Sequence, residues 1–149
     1  MLIKKFLWSL LFVFFFELPL SAHVESWVRN YNGPASEDDR AGALAVDVNG
    51  NVYVTGTSFD SVTSYDYTTI KYTANGDLLW LRRYNGPGNY SDASNALAID
   101  EGGNLYVTGS SSGIGTVDDY ATIKYASNGD ILWVQRYNGT NNYSDGAHA

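Results

Sequence analysis

The residues best suited to chemistry in this sequence are the five in "DVNGN", from Asp47 to Asn51. Asp47, Asn49 and Asn51 alternate along the chain, as oxygen ligands do in the first half of a calcium-binding loop. No glutamate follows at the position that completes such a loop, and the related stretch "DEGGN" at 100–104 lacks the middle ligand. Asn and Gly are also the residues that a tight turn between two strands requires. We therefore interpret Asp47–Asn51 as a structural hairpin turn, although the sequence leaves calcium binding there open.

Most other aspartates recur at an interval of 53 residues: Asp39, Asp92 and Asp145; Asp66 and Asp119; Asp77 and Asp130. Repetition in every unit suits a structural role, such as accepting backbone N–H groups in a turn. A single active site would instead need residues that differ between units. Glu37, Asp38 and Asp118 stand outside the pattern and are candidates for a cation or polar-ligand site, but we predict that they belong to solvated acidic loops.

The basic and nucleophilic residues give little support for catalysis. Four arginines, Arg29, Arg82, Arg83 and Arg136, lie beside Trp and Tyr. We predict that their stems cover aromatic rings, with carbohydrate or cation–π contacts as the alternative. His23 and His148 stand alone and the chain has no Cys. We therefore predict no catalytic, cofactor-binding or metal-binding residues.

The net charge and the composition exclude some classes of function. The formal net charge is −7 at pH 7, which repels phosphate backbones and anionic membrane surfaces. We therefore expect no nucleic-acid partner. Without Cys the fold depends on burial and not on disulfides, and 12 Tyr and 4 Trp supply large side chains for it.

Residues 1–22 have the pattern of a secretory signal peptide. A basic start and an apolar run from Phe6 to Phe16 precede a small-residue cleavage site at Ser21-Ala22. The alternative is an uncleaved membrane anchor, but a span takes about 20 apolar residues and Glu17 interrupts this run. The pattern predicts secretion to the extracellular space or the cell envelope, with no membrane contact after cleavage.

One sequence motif recurs at a fixed interval after residue 22 and divides that part of the chain into repeats. "WVRNYNGP" at Trp27 returns as "WLRRYNGP" at Trp80 and "WVQRYNGT" at Trp133. Such a fixed period is typical of repeat architectures. It predicts an N-terminal outermost strand with its loop at 23–42, a repeat at 43–95, and a second repeat with the start of the next at 96–149.

Each repeat contains four runs with strand character. In the first repeat these are Ala43–Asp47, Asn51–Ser58, Tyr67–Thr73 and Leu78–Tyr84, which are rich in β-branched and aromatic residues and bounded by Asn-Gly pairs. Strand alternation places Val52 and Val54 on one face, and Tyr53 and Thr55 on the other. No helix is predicted beyond residue 22.

Four antiparallel strands in every repeat of this length are typical of a β-propeller blade. A β-sandwich rarely repeats its sequence so closely, and solenoid repeats are usually shorter. The predicted fold is therefore all-β, a partial β-propeller with two full four-stranded blades and one N-terminal outermost strand. Because propellers close with about 4–8 blades, we expect either a fragment of a longer chain or a short chain that assembles several copies. The N-terminal strand is expected to be a ring-closing clasp, with no docking place of its own in this sequence.

The stretches "GNVYVTG", "DYTTIKY", "NGDLLW" and "RYNGPGN" resemble the bacterial β-propeller repeat called SBBP. The resemblance covers nearly all of the chain after residue 22. It implies a secreted or cell-envelope scaffold built from tandem repeats, and it brings no shared catalytic residues. Quinone-dependent dehydrogenases are also propellers, with a Gly four residues before a Trp, as in Gly76–Trp80 and Gly129–Trp133. The other positions of that motif do not match, so we predict shared blade packing and no cofactor.

These observations predict a secreted or cell-envelope β-propeller scaffold that acts as a binding or structural module. The expected partners are an unidentified protein or glycan surface and the remaining blades of a full-length chain. The alternative is a fragment of a propeller enzyme, cofactor-dependent or carbohydrate-active, whose catalytic residues lie in missing blades. The nearly identical apolar stretches "ALAVD" and "ALAID" favour the scaffold, because an active site would need residues specific to one blade.

Overall fold

The computed structural model describes residues 26–147, so the predicted signal peptide, His23 and His148 lie outside the described residues. Eight strands are present: β1 Asp39–Val46, β2 Val52–Asp60, β3 Ser64–Tyr72, β4 Leu78–Tyr84, β5 Asp92–Ile99, β6 Leu105–Ser112, β7 Asp118–Tyr125 and β8 Ile131–Tyr137. Between residues 26 and 147 there is no helix, and therefore no helical membrane span.

The strands form two four-stranded sheets, β1-β2-β3-β4 and β5-β6-β7-β8, in which every neighbouring pair is antiparallel. We call them blade 1 and blade 2. The arrangement confirms the predicted all-β fold built from four-stranded antiparallel blades.

The predicted turn residues adopt the conformations that the hairpins need. In each turn the glycine N–H donates to the carbonyl three residues earlier. These glycines, Gly50, Gly76, Gly103 and Gly129, have a φ between 77° and 87°, whereas the residue before each of them does not have a positive φ. Such left-handed backbone costs glycine little, whereas a residue with a Cβ is strained there. The positions of these four turns are confirmed. The predicted two-residue type is wrong, because it would need a positive φ at both residues of each pair and here only the second residue of each pair, a glycine, has one.

Several predicted boundaries differ from the structure: β2 continues to Asp60 instead of Ser58, and β3 begins at Ser64 instead of Tyr67. β1 begins at Asp39, four residues before the predicted Ala43, because a bulge at Gly42 lets pairing with β2 continue to Asp39 and Ser58. The predicted N-terminal strand at 27–31 forms no ladder in the described structure, since no third strand lies beside it. Its role as a ring-closing clasp stays a prediction.

Each blade has two chemically different faces. The aromatic face of blade 1 carries Tyr53, Tyr67 and Trp80, and the aliphatic face of blade 2 carries residues such as Leu105 and Ile123. These two faces pack together to form the core. The predicted alternation is confirmed, because Tyr53 and Thr55 are buried against blade 2 while Val52 and Val54 lie on the opposite, aliphatic face of blade 1.

Polar contacts join the blades where β1, β2 and β5 meet. The Ser94 hydroxyl donates to the Gly56 carbonyl at 2.8 Å and lies 2.8 Å from the Thr55 hydroxyl. A Cβ on Gly42 would lie 2.6 Å from the Ser94 carbonyl oxygen. The β-bulges at Gly42 and Asn95 therefore lie where the two blades are in contact. Two further register shifts lie between β3 and β4 and between β7 and β8.

Candidate functional site

The candidate calcium-loop residues form a closed hydrogen-bonded turn between β1 and β2. Asp47 Oδ1 accepts the backbone N–H groups of Asn49 and Asn51, both at 2.9 Å. Its Oδ2 accepts the Asn51 side-chain amide at 2.9 Å and the Tyr53 hydroxyl at 3.3 Å. Desolvation would raise the pKa of Asp47, but these hydrogen bonds outweigh it and lower the pKa. Both carboxylate oxygens thus have structural partners within the turn.

Asp100 has the corresponding role in the β5–β6 turn. It accepts the Asn104 backbone N–H at 2.8 Å and the Tyr106 hydroxyl at 3.2 Å, and Lys124 Nζ lies 3.6 Å away. The hydrogen bonds from Asn104 are the main cause that lowers the pKa of Asp100 to about 2. Loss of the middle Asn of "DVNGN" therefore leaves the hairpin intact.

A cleft of about 470 Å³ lies between these turns, with Asp47, Asp100 and Glu101 among its lining residues. Lys71, also in the lining, donates to the Ser127 carbonyl at 3.2 Å and lies 4.7 Å from the Tyr53 ring centroid. Across residues 26–147, no three His, Asp or Glu side chains converge as metal ligands would. The cleft's two turn aspartates are committed to hydrogen bonds in their own blades.

The repeated arginines on β4 and β8 pair with the repeated aspartates on β3 and β7. Arg83 donates to Asp66 at 2.9 Å and to the Ser58 hydroxyl at 3.2 Å. Arg136 contacts Asp119 at 3.0 Å. The two aspartate side chains are only 6% and 7% exposed. The sequence missed these ion pairs, although the shared 17-residue spacing of the partners could have revealed them.

Arg82 makes the cation–π contact that was the alternative for these arginines. Its guanidinium lies 5.9 Å from the Trp80 ring centroid, and its Nε donates to the Gly129 carbonyl at 2.7 Å. The side chain therefore both covers an aromatic ring and bridges the two blades. Arg83 and Arg136, by contrast, act as ion-pair partners and not as covers for aromatic rings.

The motif "YNGP" at 31–34 and 84–87, and its variant "YNGT" at 137–140, each form a loop with the aspartate that follows. The Gly33, Gly86 and Gly139 N–H groups each donate to the aspartate six residues later, at 2.7, 2.6 and 2.6 Å. In the middle copy Asp92 is buried and also accepts the Ser112 N–H at 3.0 Å. Burial raises the pKa of Asp92. The repeated aspartates therefore stabilise the connections between blades, as their period indicates.

The first copy of the repeated motif, at Trp27, packs on blade 1 in the way that the second copy, at Trp80, packs on blade 2. Trp27 Nε1 donates to the Ala74 carbonyl at 3.0 Å, and Trp80 Nε1 donates to the Ser127 carbonyl at 3.1 Å, each 47 residues along the chain. The Trp27 ring lies 5.9 Å from Tyr72, and the Trp80 ring lies 6.0 Å from Tyr125. The expectation that residues 27–31 have no docking place was wrong, because each Trp packs on the blade that follows it.

The same contacts explain the Gly–Trp spacing. A Cβ on Gly129 would lie 2.9 Å from the Trp80 ring, and a Cβ on Gly76 would lie 2.6 Å from the Trp27 ring. Each glycine thus receives the tryptophan of the preceding copy, not the one four residues later. The spacing reflects blade packing, as predicted. A groove of about 450 Å³ beside Trp27 is lined by the aliphatic face of blade 1, where Val54 is half-buried and Ile70 is buried.

The acids outside the repeat pattern do not converge. Asp38 forms an exposed ion pair with Arg40 at 2.7 Å, and Glu37 is exposed. Asp118 accepts the Ser112 hydroxyl at 3.0 Å and the Ser144 hydroxyl at 3.3 Å, on the opposite blade from Asp38. They lie in or beside loops, and within the described residues they form no common site.

The loops that differ most between the blades join β2 to β3 and β6 to β7. They carry Val62, which is 85% exposed, and Ile114, which is 80% exposed. The Ser91 hydroxyl lies 3.2 Å from the Ser64 hydroxyl, and the Ser91 carbonyl accepts the Ser112 hydroxyl at 3.0 Å. Both loops therefore lie at the same end of the blades, which we call the loop end. Sequence reasoning did not single out this surface, although the lack of repetition at 59–65 and 112–118 marks it.

Comparison with known proteins supports the repeat assignment. No curated protein matches the chain. A family model, SBBP, described as a beta-propeller repeat, matches residues 79–115, from β4 of blade 1 through β6 of blade 2. This match spans the Trp80 motif, the "YNGP" loop and the inner hairpin of blade 2. With two four-stranded antiparallel blades, it identifies the protein as one that contains an SBBP-type beta-propeller repeat.

Proposed function

We propose that this protein is a secreted or cell-envelope β-propeller scaffold, which acts as a binding or structural module and not as an enzyme. One observation carries the proposal. The charged residues that both blades share, such as Asp66 with Arg83 and Asp119 with Arg136, are bonded within the fold. Groups that hold a turn or an ion pair are not available for acid–base or nucleophilic work.

The loop end is the surface that this scaffold presents. Val62 and Ile114 are apolar, exposed and specific to their blades, and they stand on short connections between rigid strands. Binding residues are commonly found on such loops, because the sheet positions them and leaves them free to vary. The partner is a protein or glycan surface, and the net charge of −7 disfavours nucleic acid. Further blades of a longer chain are the second partner in this proposal.

Export is the part of the proposal that rests on sequence alone. The basic start, apolar run and small-residue site of residues 1–22 support it. Cell fractionation, with mass spectrometry of the N-terminus, tests it directly. We expect the protein outside the cytoplasm with its N-terminus at His23, and a full-length chain retained in the cytoplasm would contradict export.

Binding is tested with a pair of loop substitutions. Val62→Ser with Ile114→Ser removes two exposed apolar side chains without touching a hydrogen bond of the fold. We expect this variant to bind isolated envelope material about tenfold more weakly than the wild type, as loss of a binding hot spot does. The matched control is Leu79→Ser, an exposed leucine on β4 away from the loop end.

Pretreatment of the envelope material separates the two partner classes. Protease treatment abolishes binding if the partner is a protein, and glycosidase treatment abolishes it if the partner is a glycan. Equal binding by the loop variant and the wild type would refute the loop end as the binding surface. A hydrolytic or redox activity lost on substituting a cleft residue such as Glu101 would refute the non-enzymatic role.

A further inference from the structure

We propose that the chain associates head to tail with a second copy of itself, the aromatic face of blade 2 docking on the aliphatic face of blade 1. We further infer that Trp27 limits this association, because it occupies part of the docking surface. This inference goes beyond the scaffold proposal and does not depend on the scaffold's ligand. It concerns the 149-residue chain itself, since a further blade of a longer chain would occupy the same aromatic face of blade 2.

The exposed aromatic face of blade 2 has nearly the same residues as the aromatic face buried between the blades. The buried face carries Tyr53, Tyr67, Lys71 and Trp80, and the exposed face carries Tyr106, Tyr120, Lys124 and Trp133 at the corresponding positions. In the buried face Tyr67 is 0% exposed and Trp80 is 7% exposed. Their counterparts Tyr120 and Trp133 are 40% and 37% exposed. The same set of side chains is therefore buried between the blades in blade 1 and partly exposed in blade 2.

The aliphatic face, which receives the aromatic face of the neighbouring blade, is also present in both blades. The aliphatic face of blade 2 receives blade 1 through residues that include Leu105, Val107, Ile123 and Tyr125. The aliphatic face of blade 1 has Val52, Val54, Ile70 and Tyr72 at the same positions, where they line the groove. Ile70 and Tyr72 are only 5% and 9% exposed, and the Trp27 ring lies against Tyr72. The replacements keep the apolar character and change the volume little. A second copy of blade 2 thus meets on blade 1 the surface for which its aromatic face is shaped.

The polar contacts match too. Within the chain, Tyr67 Oη donates to the Ala121 carbonyl at 3.3 Å, while Lys71 and Trp80 donate to the Ser127 carbonyl. The equivalent donors of a second copy are Tyr120, Lys124 and Trp133, and their acceptors are the carbonyls of Thr68 and Ala74. The Thr68 hydroxyl is buried in blade 1 without a hydrogen-bond partner. The docked Tyr120 hydroxyl would arrive beside it, and buried polar groups are rarely left unpaired.

Trp27 competes for this surface. Its Nε1 holds the Ala74 carbonyl at 3.0 Å, the acceptor that Trp133 of a second copy would use, and its ring covers Gly76. Trp27 and the Trp133 of a second copy cannot both occupy the site at Ala74 and Gly76, so docking of a second copy requires Trp27 to leave it. The association is therefore weakened by the free energy needed to displace residues 27–31.

The contact joins two different surfaces, so it leads to a ring if the rotation closes and to an open chain of copies if it does not. The described residues of each copy form two blades. Propellers of 4–8 blades would correspond to roughly two to four copies. The species to look for is thus a small oligomer in equilibrium with the monomer.

The test compares three variants by sedimentation velocity over a concentration series. The protein is purified in the form that accumulates in the cell, and its N-terminus is identified by mass spectrometry. We expect Trp133→Ala to weaken association about tenfold or more, as loss of a central Trp does at interfaces. Trp27→Ala should strengthen association about tenfold, because the competitor is gone. The control is Tyr143→Ala, an exposed aromatic residue outside both faces, which should leave association unchanged.

Opposite effects of the two Trp substitutions support the proposal, because general loss of apolar surface would weaken association in both. Wild type and Trp27→Ala that are both monomeric at every concentration would overturn it, as would unchanged association in Trp133→Ala. Weaker association in Trp27→Ala, or an equal effect of Tyr143→Ala, would also overturn it. Near-ultraviolet circular dichroism monitors folding. If Trp133→Ala is unfolded, Tyr120→Ala tests the same face, and its unchanged association would refute the proposal.

Discussion

Trp80→Ala, which truncates the tryptophan between the blades, should destabilise the protein far more than Trp133→Ala, the same substitution in the second repeat. Trp80 is 7% exposed, packs 6.1 Å from Tyr53 and 6.0 Å from Tyr125, and lies against Gly129. Trp133 has the same sequence context but is 37% exposed, with its nearest aromatic neighbour, Tyr106, in its own blade. The pair therefore compares one motif with and without a neighbouring blade.

The expected magnitude follows mainly from packing. Trp→Ala in a core costs about 3–5 kcal/mol of unfolding free energy. Loss of the indole N–H adds little, because Lys71 Nζ still donates to the Ser127 carbonyl. We expect Trp80→Ala to lie in that range and Trp133→Ala to cost at most about 1 kcal/mol. Since a domain of this size has a stability of only about 5–15 kcal/mol, the first variant would fold marginally.

Equilibrium urea unfolding, followed by far-ultraviolet circular dichroism at a low protein concentration, measures both values. The low concentration keeps self-association from adding to the stability of the wild type. Equal destabilisation by the two substitutions would refute the reasoning, because it would show that the neighbouring blade contributes nothing to the packing of Trp80.

Three further predictions concern the repeated polar contacts and the bulges. Arg136→Met leaves Asp119 buried and unpaired and should cost about 3–5 kcal/mol, and adding Asp119→Asn should restore part of this loss in a double-mutant cycle by urea unfolding. Because the pKa of Asp100 is lowered to about 2 in the folded state and is about 3.9 when unfolded, its contribution is present above pH 4 and lost as the pH falls towards 2. Asp100→Asn should therefore flatten the fall in urea midpoint between pH 5 and pH 2.5, and an unchanged slope would contradict this. Gly109→Ala places a Cβ against the Ala93 carbonyl and 2.8 Å from Ser94 Cα, so we expect a loss of about 1–3 kcal/mol, whereas Ser110→Ala beside it should change the melting temperature little.

The features that the sequence predicts correctly are those that depend on local residue types. The four turns were placed correctly because positive φ at Gly50 or Gly129 requires glycine, and the strand faces followed from alternation. The start of β1 was missed because a bulge at Gly42 breaks that alternation, and the backbone contact with Ser94 that lies beside it joins residues more than 50 positions apart. The Arg136–Asp119 pair was missed for a related reason. Which side chains face each other across β7 and β8 depends on strand register, and the sequence signal for it was the 17-residue spacing that both Arg–Asp pairs share.

Repetition also indicates where function should be sought. Turns, ion pairs and both packing faces are nearly the same in the two blades, because every blade must receive its predecessor and present a matching face to its successor. Residues that differ are free of this requirement. They are concentrated at the β2–β3 and β6–β7 loops, where Val62 and Ile114 are exposed. At the packing faces the notable difference is Arg82, which bridges to Gly129 and is replaced by Gln135 in blade 2. A contact made by blade 2 through its aromatic face therefore lacks one charged hydrogen bond of the internal interface. Such a contact should be weaker than the joint between the blades, which suits reversible association better than a permanent assembly.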